Sequence, residues 1–430
     1  MTDAIKLWDR AMFFFLLVLI IFVPYSAAVT EGCLLIIILA WLIKRFLTWK
    51  SYPNQTLFFS SKFSFINPAV PLTIIGLLIL VTIPWSHAPA LTLKKFFSRF
   101  LQQVFLMYAI VEIVRSPKRL YRVLVFLMWT LLVVTVDVML QYTLGHSFIF
   151  HKHTLLFQRV SGSMRHPNDL GTLLVTVLPV TITLILTRGF WMPLLFKKRF
   201  LVLLNLLGGI LLFLILVSLG LTFSRGAWVA FIVTMIGGCI FLKKYWWTAI
   251  VVVLLSTFFW FFGVYFTNMR TDIFPKDSIE QNNIQFLNPS QRIEYWQTAI
   301  EVIRRFPWFG CGYNTYIQTL QQLGMTPVEY PHNSLLHIAT ELGIFGLLMY
   351  LWFFLALFLR GMEILKTISF HHDLYLLGTG IFFGIIAWLI HSLLDTPWES
   401  LQLSLLWWFF IGLLMSLEKV GQELKASRRD

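Results

Sequence analysis

Apolar runs follow one another almost without a break along this chain, each close to the roughly 20 residues that a helix needs to cross about 30 Å of hydrocarbon. Twelve stretches qualify or nearly qualify: residues 11–29, 33–47, 68–85, 96–114, 121–142, 169–186, 201–221, 227–242, 246–266, 334–359, 374–394 and 401–417. The second is the shortest. Between the ninth and the tenth the pattern changes, and residues 267–333 form a long polar stretch. Within it, residues 290–306 place Ile293, Trp296, Ile300 and Ile303 at spacings of three and four, with Arg292, Glu301, Arg304 and Arg305 on the other positions. That periodicity predicts an amphipathic helix that starts at Asn288-Pro289-Ser290 and stops at Pro307. Its apolar stripe is expected to rest on the bundle or in the headgroup layer. The Trp308-Phe309-Gly310-Cys311-Gly312-Tyr313 segment that follows is a Gly-interrupted aromatic turn, suited to bringing backbone close to a ligand or to another helix.

The first apolar run follows Lys6 and Arg10 and ends near Ser26-Ala27-Ala28, which has the look of a signal-peptide cleavage site. A second run begins almost at once, so the pair reads better as a helical hairpin turning at Thr30-Glu31-Gly32. Composition agrees with the spans: the 430 residues are 58% hydrophobic and 13% charged, which excludes a water-soluble core. The expected fold is an all-α integral membrane protein of about twelve transmembrane helices. It is read as a single polytopic domain, residues 1–430, with the long outer loop 267–333 inserted between helices nine and ten.

A formal charge of +14 would suggest nucleic acid in a soluble protein, but here its distribution argues for topology. Lys44, Arg45, Lys50, Arg115, Lys118, Arg119, Arg122, Lys197, Lys198 and Arg199 cluster in alternate loops, as the positive-inside rule requires if both termini are cytoplasmic. Three scattered cysteines, Cys33, Cys239 and Cys311, fit neither a disulfide framework nor a metal site, and nothing has zinc-ligand spacing. No phosphate-binding glycine loop of either common pattern is present, so a nucleotide has no anchor. Nor do the polar loops hold an Asp-x-Asp pair that would fix a metal against a nucleotide-sugar diphosphate. No cofactor is expected.

The candidate chemistry lies on the outer face, where positive charge is normally scarce. Arg292 falls in the first turn of the amphipathic helix, where free N–H groups and the helix dipole favour anions, and a guanidinium grips phosphate with two prongs. The plainer reading is a solvated arginine facing Asp272 or Glu280. Arg225, in Ser224-Arg225-Gly226, joins two spans with almost no loop; it is a snorkelling anchor or a charge at the bundle mouth. His332 precedes a long apolar helix that Asn333 or Ser334 can cap, at the depth where a histidine can take a proton from a hydroxyl. His337 and Glu341 share a face one turn apart and are expected to support the site through an ion pair that orients Arg225 or the helix. Lys94, Lys95, Arg159 and Arg165 are further candidates for holding phosphate, and Arg99 is a smaller candidate beside them. Asn168-Asp169 reads as an N-cap pair beside Pro167, and Asp137 as a lone mid-span acid, thin evidence for a proton path.

In this arrangement the chain resembles the O-antigen ligase and polymerase superfamily of bacterial envelope glycosyltransferases. The resemblance rests on Ser224-Arg225-Gly226-Ala227-Trp228, Gln291-Arg292-Ile293 through Trp296, the Pro307 to Tyr313 turn, and Pro331-His332-Asn333-Ser334-Leu335 through Glu341-Leu342-Gly343. His166-Pro167-Asn168-Asp169-Leu170-Gly171 adds to it, and the first third of the chain matches only in hydropathy. It implies a GT-C-like fold in the bacterial inner membrane, a periplasmic active site, and dependence on two arginines and a histidine, here Arg225, Arg292 and His332. It also implies an undecaprenyl pyrophosphate-linked glycan as donor and inverting, metal-independent transfer. The acceptor would be lipid A-core oligosaccharide in the ligase branch and another lipid-linked glycan in the polymerase branch. A rival from a different class is a transporter or flippase, whose polar residues would line the mid-bilayer; Asp137 apart, few do.

Overall fold

A computed structural model describes residues 2–51, 64–150, 159–187, 201–244, 289–325 and 330–427, with isolated positions 257, 260 and 261. Among the described residues every regular element is helical. In chain order they are α1 (Thr2–Phe22), α2 (Ala27–Ser51), α3 (Ala69–Thr82), α4 (Pro89–Lys95), α5 (Gln102–Ile113), α6 (Pro117–Leu144) and α7 (Pro167–Leu186). Then follow α8 (Leu201–Leu221), α9 (Arg225–Phe241), α10 (Pro289–Arg305), α11 (Tyr316–Gln322), α12 (Ser334–Ile368), α13 (His372–Ser392) and α14 (Leu401–Ala426). Among the described residues seven helices are long and apolar enough to cross a membrane, and three shorter apolar ones accompany them. The protein is an all-α, multi-pass membrane protein. Each predicted span overlaps a helix except the ninth, which lies outside the described residues apart from those isolated positions, as does the loop from 267 to 288.

The first hairpin forms, but it turns earlier than expected. Alpha1 ends at Phe22, the chain reverses through Val23–Tyr25, and Thr30, Glu31 and Gly32 lie inside α2. Pro24 is the cause: it has no N–H to give the preceding turn and its ring clashes with the helix. Ser26 then caps α2, its hydroxyl accepting from Val29 N at 3.3 Å.

At one end of the bundle α1, α2, α5 and α6 are tied by charge. Asp9 accepts from Lys44 at 2.6 Å and also pairs with Arg119, while Glu112 pairs with Arg45 and, at 3.3 Å, with Arg115. Glu112 is only 3% exposed, so its charge is sustained entirely by these partners. Replacing Glu112 by glutamine strands the surrounding cations and is expected to cost about 3–5 kcal/mol, read as a large drop in the thermal unfolding midpoint of the purified protein.

Within the bilayer no hydrophobic drive separates helix from lipid, so association depends on close packing. Alpha7 and α13 pair most extensively. Gly384 sits directly against the Thr176 carbonyl oxygen and the Phe410 ring, a distance that no side chain would allow. Where α13 ends and α14 begins, Trp388, Trp398 and Trp407 form a compact aromatic knot, with ring centroids 4.7–5.2 Å apart. Trp398 thereby anchors the loop between α13 and α14.

The long helix α12 contains an unforeseen break. Gly343 has φ 63° and ψ −167°, so the helix stops and restarts there. The aromatic turn fills the gap: Cys311 N donates to Thr340 O (2.9 Å) and Gly312 N to Glu341 O (3.0 Å), while Ile344 N donates to Pro307 O (2.8 Å). The carbonyls and amides freed by the break are thus satisfied by the turn. Gly310, with φ 71°, lies against the Glu341 and Leu342 backbone, and Gly343 against that of Trp308 and Phe309. The close partner of the turn is therefore another helix.

Candidate functional site

Three segments bring positive charge to one corner of the bundle. Arg225 is the first residue of α9, which Ser224 caps by accepting from Ala227 N. Gly226 allows this end to pack on His391 and Leu394 of the α13 end, and His391 Nδ1 in turn lies 2.8 Å from Thr172 Oγ1. Arg292 occupies the first turn of α10, which spans Pro289–Arg305, within a residue of the range its periodicity predicts. That helix buries Ala299 and Val302 and leaves Ile293 and Ile300 exposed, so only part of the expected stripe faces protein. Tyr295, one turn along, places its ring 5.8 Å from that of His332.

His332 has φ 48°, a left-handed conformation that histidine adopts more readily than most side chains. Asn333 caps α12 through Oδ1, accepting from Leu335 N (3.0 Å) and Leu336 N (3.1 Å). The imidazole Nδ1 lies 2.9 Å from Asp395 Oδ1, in the loop between α13 and α14. Ser334 Oγ donates to the Asp395 carbonyl at 3.2 Å, and Thr396 N donates to its carboxylate at 2.8 Å. Burial pushes the Asp395 carboxyl up, but the His332 hydrogen bond and charge, with that N–H, hold it well below the usual carboxylate range.

Arg159 joins the group from the segment before α7. Its Nε donates to Thr222 O at 2.8 Å and its Nη2 to Asn168 Oδ1 at 2.8 Å. Burial, together with the nearby Arg225 and Arg292 charges, lowers it to about 10 against the pull of Asp395. Arg159, Arg225, Arg292 and Asp395 thus share one field. Asn168 serves Arg159 and is not a helix cap; His166 holds the N-cap position, with Pro167 at the start of α7. Arg165 is exposed and its charge acts on Asp169. Asp137 is structural: it accepts from Ser147 Oγ (2.8 Å), Phe148 N (2.8 Å) and Ile149 N (3.1 Å).

A second cluster lies alongside. His337 Nε2 is 3.1 Å from Glu341 Oε1 and 3.5 Å from Glu399 Oε1. Asn314 N donates to Glu341 at 2.7 Å, and Asn314 Nδ2 lies 3.2 Å from both Glu399 oxygens. The Tyr330 hydroxyl pairs with Glu399, which with burial pushes the phenol above its ordinary value. Lys95, beside the exposed Lys94, lies in the field of Arg99, Glu399 and Glu341, so this basic pair belongs to the second cluster. Glu341 orients the aromatic turn and does not pair with Arg225. The ligand atoms of His337, Glu341 and Glu399 fall within 4.8 Å of one another, a donor set of the kind that can hold a cation, assembled by folding and invisible as a sequence spacing.

Residues 210–351 match the family model described as O-antigen ligase. Over this third of its length the chain is similar to the O-antigen ligase superfamily. The matched region runs from within α8 to the middle of α12 and holds Arg225, Arg292, His332, His337 and Glu341. Members of this superfamily are glycosyltransferase-like enzymes that work on lipid-linked glycans with a glycan acceptor. No curated protein matches the chain. Asp395, Glu399 and Arg159, which complete the two clusters, lie outside the region matched by the O-antigen ligase model. Sequence reading bypassed both acids because Asp395-Thr396-Pro397-Trp398-Glu399 reads as an ordinary connection; the available signal was two acids in a short outer loop beside a tryptophan.

Proposed function

We propose that this protein is an inner-membrane O-antigen ligase that moves a glycan from undecaprenyl pyrophosphate onto lipid A-core oligosaccharide at the periplasmic face. The observation that carries this reading is the shared field of Arg159, Arg225 and Arg292 around the His332–Asp395 pair at the outer ends of the helices. Arg225 and Arg292 hold the diphosphate and stabilise the charge that builds on its oxygens as the anomeric C–O bond breaks; fixed cations in a shielded site act strongly there. Asp395 keeps the proton on His332 Nδ1, so Nε2 positions the attacking hydroxyl and takes its proton. A single displacement inverts the anomeric carbon. The cations supply what a metal supplies in other transferases, so transfer proceeds in chelator.

The test uses purified protein, lipid pyrophosphate-linked glycan and rough lipopolysaccharide with EDTA. Glycan-capped lipopolysaccharide is the expected product. Long lipid-linked polymer without capped product would make the protein a polymerase, and translocation without transfer would make it a flippase. Arg225→Ala, Arg292→Ala and His332→Ala are each expected to lower transfer by about 10²-fold or more while leaving membrane insertion intact. Unchanged turnover in all three variants removes the site.

A further inference from the structure

We infer that the cleft lined by Arg99, Asn314, His337, Glu341, Trp398 and Glu399 seats the hydroxylated edge of a pyranose ring of the glycan acceptor. This rests on the transferase reading above and names the acceptor's place beside the diphosphate. The lining has the chemistry that recognises a polyol: carboxylates to accept from hydroxyls, a guanidinium and an amide to donate to them, and an indole to cover the C–H face.

Polar groups in the cleft point to a ligand. His337 is 4% exposed, and its Nε2 sits between the two carboxylates without the in-line geometry of a hydrogen bond to either. Arg99 Nη1 is likewise buried without a hydrogen-bond partner, although Nη2 donates to the Glu399 carbonyl at 3.3 Å. A hydroxyl both donates and accepts, and it can bridge a carboxylate to either group. Arg99 stands on a π-helical turn, Phe96–Leu101, that breaks the regular run between α4 and α5.

Charge selects a neutral, hydroxylated occupant. Two carboxylates, Glu341 and Glu399, repel a diphosphate, while the neutral hydroxyls of a sugar carry no such penalty. Connectivity selects the acceptor's position. The start of α12 carries His332 to the cationic corner and His337 to the cleft, and the loop before α14 carries Asp395 to the first and Glu399 to the second. A ring held in the cleft therefore presents a hydroxyl toward His332, while the donor's diphosphate lies on the arginines.

The experiment takes the full-length protein in nanodiscs, with lipid-linked glycan as donor, rough lipopolysaccharide as acceptor, and lipid-free core oligosaccharide as a binding probe. Glu399→Gln is expected to raise the acceptor KM and weaken oligosaccharide binding by about tenfold or more, the loss of one charge-assisted hydrogen bond. The donor KM stays put. Asn314→Ala, which leaves the charges alone, is expected to move the same two constants in the same direction. Unchanged acceptor KM and oligosaccharide affinity in both variants overturn the proposal, as does a rise confined to the donor KM. Thermal stabilisation of the unmodified protein by Ca²⁺, Mg²⁺ or Zn²⁺ that disappears in Glu399→Gln also overturns it, making the cluster a cation seat. Oligosaccharide binding that is lost in the variants, with no transfer by the unmodified protein, keeps the sugar seat and removes the transferase reading instead.

Discussion

Asp395→Asn is expected to lower kcat for glycan transfer by about 10²- to 10⁴-fold with little change in either KM. The amide is nearly the same size, so Ser334 keeps its contact with the Asp395 carbonyl, the amide oxygen still accepts from Thr396 N, and the fold survives. What is lost is the acceptor that fixes the proton on His332 Nδ1, 2.9 Å away. An amide that turns its NH₂ toward the ring favours the opposite tautomer, and the nitrogen facing the acceptor then carries a hydrogen and takes no proton. Steady-state transfer assays on the purified variant read this directly; kcat within threefold of the unmodified protein would deny the pair any part in the chemistry. Stability supplies an independent readout. The Asp395 carboxyl is depressed in the folded protein, so its stabilisation is fully present above the ordinary carboxylate value near pH 4 and is lost as pH falls through the depressed one. Thermal unfolding measured downward from pH 5 is expected to lose this contribution in the unmodified protein, whereas Asp395→Asn lacks it at every pH.

Gly343→Ala is expected to destabilise the protein by about 3–5 kcal/mol, seen as a lower unfolding midpoint and a reduced yield of monodisperse protein. A methyl group at φ 63° costs about 1–2 kcal/mol in backbone strain. It also meets the Trp308 carbonyl and the Phe309 nitrogen, which are backbone atoms and have nowhere to go. Pushing the turn away breaks the hydrogen bonds from Cys311, Gly312 and Ile344, each worth about 1 kcal/mol. Gly310→Ala meets the Glu341 carbonyl in the same way and is expected to behave alike. A matching loss of transfer follows, because Glu341 and Asn314 are positioned across this junction.

Most of the bundle was legible because hydropathy is a local signal: a run of apolar residues declares its helix without reference to any other segment. The same holds for α10, whose spacing and flanking prolines place its ends within a residue. Pro24 was also a local signal, outweighed wrongly by Gly32. Arg225, Arg292 and His332 stood out as charges where charge is costly, and folding brings them into one field. Their partners did not stand out. Asp395 meets His332 across 63 positions and Glu399 meets His337 from the same loop, contacts set by how α12 and α14 pack and carried by no spacing. Gly343 was hidden for another reason: glycine is common in membrane helices, and only the arrival of the Trp308 turn reveals which one is left-handed.

The junction at Gly343 decides where this protein can carry a passenger. Between Pro307 and Gly312 backbone amides and carbonyls on the turn are matched to their counterparts on α12, so even one added residue shifts every pairing out of phase. An epitope or fluorophore belongs instead beside Gly324, which is exposed and has open space around it. A label there reports from an exposed position while the two clusters keep their geometry.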